Sequence, residues 1–504
     1  MKNYFRQVAL FCLSILLLMG LSRKSEAQIS HFRLSDYKPP AYVHQSLDFG
    51  VNLLGSANMA TSALADTGQS GSKNSSFSFN FNPVYQRFSN SEKYQGNLTA
   101  GLQLSPGFSM QKFKPSNSSE SAFQFFSRIQ LSTTNRFYIR KGLFIETDPA
   151  VTLQSTTYNS NRNLVSGSSN ELRNLKERNW APSFNGSVQL ILGKGRIDEV
   201  TDAMLSVYML QDLAQLGCTS KSLSKEDVIA LATRITQLKN QRFFDSRLQK
   251  IREIESIDSL IQQLGIRSTA SAAYFTSLND DWDYGQSNLR YSGYRFYTGL
   301  LPSYMYQAQN TRSSSGDSGS VDSRSRNTTT RFYLGCLAGV DWEKPHSLRW
   351  QSSLALEIRY GTGHIESKYE DFNSGASGPS IQSAFTQPGF IASFNYSLGY
   401  YPDTRTFLSC GMAGNLNTII NGTEDNQNYA EHTSVSETGL YAGPRFAAYY
   451  YLSEKVRLQF NVNIDYFFDD SNSWEYSPLI NTSYYHESNT IQGSVTGKLV
   501  YSLF

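Results

Sequence analysis

Long stretches of this chain alternate between apolar and polar residues with a period of two. In "KVRLQFNVNIDYFF", the even-numbered residues from Val456 to Tyr466 are apolar, while the odd-numbered residues from Arg457 to Asp465 are polar. "SLRWQSSLALEIRYG" follows the same rule further up the chain. A period of two puts the two classes of side chain on opposite faces of a β-strand. The pattern therefore predicts an all-β protein built from long, two-faced strands.

Two kinds of connection separate the alternating segments. Tight turns such as "EKPHS", "YPDTR" and "LSEK" alternate with long polar loops such as "NTRSSSGDSGSVDSRSRN". The segments number about sixteen, and they include predicted strands near 268–280, 290–301 and 302–313. Residues 266–315 alternate least regularly, so fourteen strands remain the alternative.

One segment, residues 194–265, breaks the alternation. Val228, Leu231, Ile235 and Leu238 recur at helical spacing, and Ser224 with Asp227 three positions later resembles a capping box. We predict an inserted three-helix segment here, on the same side as the tight turns. It divides the strand region into a first part, 28–193, and a second part, 266–504.

The first residues have the features of a secretory signal peptide. Lys2 and Arg6 precede an apolar run, and Ser25 and Ala27 suit the small-residue positions of a cleavage site. An N-terminal membrane anchor is the alternative, but the run is short against the roughly 20 residues of a membrane-spanning helix. We expect residues 1–27 to be a signal peptide that is removed after export.

Composition narrows the class of protein further. Aromatic residues make up 13% of the chain and charged residues 17%, whereas charged residues average about 25% in soluble domains. The formal net charge of +3 gives no basis for nucleic-acid binding. No later apolar run has the length of a transmembrane helix, so the strands themselves must supply any membrane contact.

Strand length and face chemistry separate two all-β architectures. A secreted β-sandwich also alternates, but its strands usually have about 5–6 residues. The segments here suit tilted membrane strands, which need about 9–11 residues. On these patterns the chain resembles the outer-membrane β-barrel proteins of Gram-negative bacteria, and we expect an antiparallel transmembrane β-barrel.

That resemblance implies a location and partners. It places the protein in the cell outer membrane, in contact with outer-membrane lipid, and implies recognition by the barrel-assembly machinery through the last strand. "SVTGKLVYSLF" would carry this signal, with Tyr501, Leu503 and Phe504 as its residues. The resemblance also puts the tight turns, and with them the inserted segment, in the periplasm.

Strand parity gives candidate site residues. Polar side chains on one parity would face the lumen, and aromatic side chains near strand ends would form interfacial girdles. The lumen-facing candidates are Arg331, Arg349, Glu357, Arg359, Arg405, Arg445, Arg457 and Asp465. The interface candidates are Trp342, Trp350, Tyr360, Tyr400 and Tyr450.

The sequence supports two functions. The first is a porin-like channel or binder for small polar solutes, in which surplus arginine in the lumen would favour anions. The second is an outer-membrane scaffold or export component whose inserted segment docks a periplasmic protein. That segment could also plug the lumen, or simply decorate a turn. The six histidines match no catalytic or metal-binding motif, so we expect no enzyme activity, no metal and no cofactor.

Overall fold

A computed structural model shows how the alternating segments assemble. It describes residues 32–64, 68–114, 118–165, 172–241, 246–285, 289–315, 322–372, 381–426, 431–453, 456–476 and 481–501. The predicted signal peptide, 1–27, lies outside these ranges, as do Leu503 and Phe504 of the predicted assembly signal.

Fourteen strands form one antiparallel sheet in the described residues, and each strand pairs with its neighbours in the sequence. The strands are β1 (Tyr42–Leu64), β2 (Gly68–Asn90), β3 (Tyr94–Lys114), β4 (Ser119–Tyr138), β5 (Leu143–Val165), β6 (Leu172–Glu199), β7 (Tyr291–Ser315), β8 (Ser323–Pro345), β9 (Trp350–Asp371), β10 (Ile381–Tyr400), β11 (Thr406–Asn426), β12 (Glu431–Ser453), β13 (Val456–Tyr476) and β14 (Asn481–Tyr501). The end strands are β1 and β14, and within the described ranges no backbone ladder joins them.

The all-β, antiparallel architecture agrees with the expectation, and the described residues form fourteen strands, the alternative to sixteen. The two strands predicted near 290–301 and 302–313 are parts of the single strand β7, which begins at Tyr291 and continues through Pro302. Residues 268–280 are not a strand, because Tyr274, Leu278 and Trp282 lie on the buried face of a helix. Their spacing of four residues matches the turn of a helix.

The described residues of 194–265 hold three helices, as predicted, but the first helix begins only at Thr201 and a fourth helix follows beyond residue 265. The helices are α1 (Thr201–Gln215), α2 (Lys225–Lys239), α3 (Ser246–Gln263) and α4 (Ala272–Tyr284). Strand β6 continues to Glu199, and residues 194–199 pair with β7. Gly195 lies within this paired stretch at a φ of +113°, a backbone conformation that favours glycine. We call α1–α4 the cap.

The cap has its own hydrophobic core. Its largest cluster of buried side chains comes from all four helices and the connections between them, and it includes Leu205, Leu231, Ile257 and Trp282. The predicted capping box is confirmed: Asp227 N donates to Ser224 Oγ at 3.2 Å, and Ser224 N donates to Asp227 Oδ2 at 3.0 Å. Among the described helices, none is long and apolar enough to cross a membrane.

Five short connections lie at one end of the sheet, together with the cap, although the connections at the opposite end are not all longer: three residues separate β1 from β2. The β2–β3, β4–β5, β8–β9, β10–β11 and β12–β13 connections are short, and the cap is the β6–β7 connection at the same end. The chain enters β1 and leaves β14 at this end as well. We call it the cap end, and the opposite end the far end.

Candidate functional site

The sheet curls around one of its faces. Arg295 of β7 reaches Glu146 of β5, two strands away, with Nη1 and Oε2 3.6 Å apart. Tyr297 of β7 donates from its hydroxyl to Glu357 of β9 at 3.1 Å. Side chains on alternate strands meet only when they stand on a concave face, so this face is the inner wall of the barrel.

Outward side chains are large, apolar and exposed. On β8, Phe332 is 52% and Leu334 is 48% exposed, while Leu337 on the inner parity is 2% exposed. Leu356 and Ile358 of β9 are 41% and 40% exposed. Each parity of a strand therefore has its own environment, as the alternation in the sequence predicts.

Ion pairs connect several strands across the inner wall of β4 to β8. Arg136 of β4 bonds Glu146 through a short Nε–Oε2 contact, and Arg295 bonds Asp341 through a similarly short Nη2–Oδ2 contact. The guanidinium groups also stack on aromatic rings, with Arg136 5.2 Å from the ring centroid of Phe144. These arginine charges are matched by nearby carboxylates, so they do not give this part of the wall a strong positive field.

Two of the predicted lumen-facing residues join this network and a third lies near it. Glu357 accepts from Arg359 Nε at 2.6 Å as well as from the hydroxyl of Tyr297. Arg331 stands on the inner parity of β8, opposite Ile365 of β9 in the strand register. Each of these three residues lies within a regular strand, where parity sets the face of the side chain.

The remaining inner-wall candidates lie on β12 and β13. Arg445 and Asp465 form an ion pair through a short Nη2–Oδ1 contact. Arg457 lies against two rings of β12, 5.6 Å from the centroid of Tyr449 and 5.7 Å from that of Tyr451. It also donates from Nη1 to the Tyr451 hydroxyl at 3.2 Å.

Two candidates, Arg349 and Arg405, are not on the strand wall. Arg349 lies in the β8–β9 turn, since β9 begins at Trp350, and Arg405 lies in the β10–β11 turn. Arg405 bonds Asp280 of α4 through a short contact, and its guanidinium is 4.2 Å from the ring centroid of Tyr284. The prediction was wrong for both. The alternation can be counted through a tight turn in the sequence, but a residue in a turn does not lie on either face of a strand.

One buried arginine holds the cap to the turns. Arg290, just before β7, is 0% exposed and donates to Gln351 Oε1, to the Ser347 carbonyl and to the Trp350 carbonyl, each at 3.0 Å. It also bonds the Leu348 carbonyl through a short contact. Its backbone N donates to Thr201 Oγ1 at 2.9 Å, at the start of α1. Arg290 thus joins α1, β7 and the β8–β9 turn.

Other contacts extend this attachment around the cap end. Tyr208 of α1 donates from its hydroxyl to the Tyr401 carbonyl at 2.8 Å. Tyr37, from the segment before β1, shares a hydrogen bond of 2.7 Å with Thr236 of α2. The rings of Tyr284 and Tyr451 are 5.8 Å apart. The cap is therefore fixed to the barrel at several points around its end.

A chamber of about 670 Å³ lies where the cap meets the inner wall. Arg136 and Arg295 contribute to it from the wall, while Asp202, Lys239 and Asn240 contribute from α1 and α2. Lys239 Nζ is 2.6 Å from Asp202 Oδ1, so these two charges pair at the chamber wall. The same space is bounded by barrel and cap, which places the cap across part of the barrel mouth.

Some of the predicted interface aromatics contact neighbouring side chains, and others are outward and exposed. Trp350 and Tyr400 pack together at the cap end, with ring centroids 4.5 Å apart. Lys344 Nζ is 5.6 Å from the ring centroid of Trp342. Tyr360 and Tyr450 are outward and exposed, by 52% and 45%.

The assembly-signal residues are only partly described. Tyr501 ends β14 and is the backbone partner of Val456. Outward residues of the same strand are strongly exposed, with Ile491 at 65%, Val495 at 69% and Leu499 at 66%. The outer face of the last strand is thus apolar, as the sequence predicted.

The histidines do not assemble a reactive cluster within the described ranges. His346 Nε2 lies 2.8 Å from Ser352 Oγ, in a tight turn at the cap end. His364, on the outward parity of β9, contacts Thr386 at 3.2 Å and Glu366 at 3.3 Å. In the part of the chain that the structure describes, no group of three or more His, Cys, Asp or Glu residues is placed to hold a metal ion.

Sequence reasoning missed Arg136, Glu146, Arg290 and Arg295. Arg295 could have been predicted to face inward, because it is a charged residue within the aromatic stretch "YSGYRFYTG". Arg290 gave no such signal, since it precedes β7 and its partners come from α1 and a distant turn.

Comparisons with known proteins complete the description. No protein-family model matches the sequence, and no curated protein matches it significantly. The monoaromatic hydrocarbon channel CymD is 9% identical, with 92% of this chain and 89% of that chain covered and a TM-score of 0.25. The translocator domain of the autotransporter NalP from Neisseria meningitidis is 10% identical, with 94% and 91% covered and a TM-score of 0.21. The transport unit of the autotransporter AIDA-I from Escherichia coli is 8% identical, with 95% of each chain covered and a TM-score of 0.20. Similarity at such TM-scores carries no inference about function.

Proposed function

We propose that this protein is an integral outer-membrane β-barrel that passes or binds small polar solutes, with the cap over its periplasmic mouth. The observation that carries the proposal is the chamber bounded by inner-wall arginines and by the polar residues of α1 and α2. A polar, partly enclosed space on a polar inner wall suits hydrated solutes.

The outer face of β6 supports the membrane location. Its outward side chains run from Leu192, which is 61% exposed, to Trp180, which is 51% exposed. Lys194 and Arg178 bound this apolar stretch at its two ends. The length exceeds the roughly 9–11 residues that a tilted strand needs to cross a bilayer.

The pairing of charges on the inner wall bears on selectivity. Arg136, Arg295 and Arg445 all contact carboxylates, which reduces their pull on anions. Arg457 instead lies against tyrosine rings. We therefore propose a mild preference for anions rather than a strict anion channel.

Single-channel recording in planar bilayers tests the channel function. The full mature protein should give discrete conductance steps, and Arg405→Ala, which removes the bond to Asp280, should increase their size by loosening the cap. Arg140→Ala, at an exposed position of the β4–β5 turn, is the control and should leave the steps unchanged. A heat-modifiable, membrane-inserted protein that never conducts would refute the channel and leave the scaffold function.

The scaffold function remains the second candidate, because the cap presents apolar side chains to solvent. Leu216, Ile251 and Phe275 are 48%, 51% and 42% exposed. We propose under this alternative that the cap docks a periplasmic protein, while the last strand engages the barrel-assembly machinery. Co-purification of one periplasmic protein with the intact chain, lost in Phe275→Ser with unchanged barrel yield, would favour the scaffold.

A further inference from the structure

Five basic side chains gather on the outward parity of three neighbouring strands at the far end. We call this group the basic patch: Lys176 and Arg178 of β6, Arg312 of β7, and Arg324 and Arg326 of β8. Lys176 and Arg178 are exposed, and the Arg312 and Arg324 side chains are 50% and 55% exposed.

Three of these arginines stand directly opposite one another. In the strand register Arg178 is the partner of Arg312, and Arg312 is the partner of Arg324. Like charges directly opposite on neighbouring strands destabilise a sheet. The arrangement therefore favours an anion that bridges the strands.

The carboxylate of Asp322 compensates only part of this charge. Arg312 donates to it from Nε at 3.1 Å and from Nη2 at 2.7 Å, and Arg324 Nη2 is 3.7 Å away. On the neighbouring strand, Glu370 is the register partner of Arg326, but Lys368 Nζ lies 2.5 Å from the Glu370 carboxylate. Positive charge remains in excess across the patch.

Aromatic side chains lie beside the patch: Trp180 and Tyr306 lie toward the membrane, and Phe372 lies just past the far end of β9. A cleft of about 630 Å³ is lined by Arg178, Arg312, Arg324 and Arg326 together with Trp180 and Phe372. Arg326 Nη2 is also 3.3 Å from the hydroxyl of Tyr306. The cleft thus combines cationic groups with large apolar rings, and Trp180 marks where the apolar outer face ends.

We propose that the basic patch binds the phosphate-bearing headgroup of an anionic membrane lipid, with the acyl chains against the apolar outer face. Guanidinium groups bind phosphate through paired hydrogen bonds, and several can share one headgroup. A solute in transit would meet the inner wall, whereas this patch faces the lipid. The proposal rests on the membrane location proposed above.

Lipid binding by the intact, detergent-solubilised protein tests the proposal independently of membrane insertion. The probe is dioleoyl phosphatidic acid, with dioleoyl phosphatidylcholine as the neutral comparison, and bound lipid is counted by native mass spectrometry. We expect selective retention of phosphatidic acid, and a loss of at least about fivefold in the Arg178→Gln, Arg312→Gln, Arg324→Gln triple variant.

The matched control removes three positive charges at the cap end. Arg140, Lys194 and Lys344 are all exposed there, and their replacement by Gln should leave phosphatidic acid retention unchanged. Equal loss in both triple variants, or no loss in either, would overturn the proposal. Displacement of the lipid by millimolar inorganic phosphate would also overturn it, since the patch would then be a site for free phosphate.

A second measurement keeps the test decisive if the triple variant fails to fold. In the unaltered protein, retention of phosphatidic acid should fall as NaCl rises from 50 to 500 mM, because salt screens exposed charges. Salt-independent retention would contradict binding through the arginines. A protein that binds the lipid but never inserts into vesicles would refute the membrane location, and not the site.

Discussion

The guanidinium of Arg290 lies 4.6 Å from the ring centroid of Tyr401, where the start of β7 meets the β10–β11 turn. The same guanidinium donates to carbonyls of the β8–β9 turn. Two turns and the first helix of the cap therefore share one buried cation. Burial lowers the pKa of Arg290, while the neighbouring tyrosines Tyr401 and Tyr208 act in the opposite direction.

Replacing this cation should loosen the cap. In Arg290→Met the carbonyls of Ser347 and Leu348 lose the Arg290 donor, and each buried acceptor left without a donor costs about 1–3 kcal/mol. We expect protease cleavage within α1–α4 at much lower protease concentration than in the parent protein. Arg290→Lys keeps the charge but lacks the planar fork, so it should give an intermediate result. Unchanged protection in Arg290→Met would show that the other contacts suffice.

The two faces of the wall should respond oppositely to a new charge. Leu356→Arg puts a cation on the outward face, at a cost of about 2–4 kcal/mol near the middle of a bilayer. Ser393→Arg puts the same residue on the inner parity of β10, directly opposite Glu357 in the register. The yield of heat-modifiable protein should fall for Leu356→Arg and stay close to that of the parent for Ser393→Arg. The reverse order would mean that the faces have been assigned the wrong way round.

A buried carboxyl group should make the stability of the cap depend on pH. Asp281 of α4 is 2% exposed, and among the described residues its Oδ2 has no hydrogen-bond partner. Burial raises the pKa of Asp281 to about 8, with Asp212 and Asp280 adding to the shift and Arg405 opposing it.

A raised pKa in the folded state means that the unfolded chain ionises first. Stability from this group is therefore complete below about pH 4, the ordinary pKa of aspartate, and is lost as the pH rises toward 8. Asp281→Asn cannot ionise, so it should flatten the pH dependence of the thermal unfolding midpoint of the cap and raise that midpoint at pH 8. A midpoint that still falls between pH 4 and 8 in this variant would assign the effect to another group.

Cysteine labelling should establish the side of the membrane on which the cap lies. Gln262 of α3 is exposed, whereas Lys239 is partly buried against Asp202 and suits the experiment poorly. In a background lacking the native cysteines, Gln262→Cys should resist a membrane-impermeant thiol reagent on intact cells and react after the outer membrane is permeabilised. Ready labelling on intact cells would put the cap outside the cell and reverse the orientation of every strand.

The sequence by itself determined the two faces of the wall. Side-chain direction alternates along any extended strand, so the parity of Leu458 and Arg457 was readable without knowing which strand lies beside which. The same reasoning placed Glu357, Arg359 and Asp465 on the polar face. It failed at 268–280, because a short stretch of mixed apolar and polar residues fits both the strand period and the helix period. The residues that bury it decide between the two.

Only the tertiary structure decided which residues meet across the interior. Arg295 reaches Glu146, and Tyr297 reaches Glu357, because the sheet curves enough to bring alternate strands together. Curvature is a property of many paired strands at once, and no single strand encodes it. The role of Arg290 arises in the same way: its burial requires a helix, a strand and two turns that are far apart in the sequence and converge only after the sheet and the cap have formed.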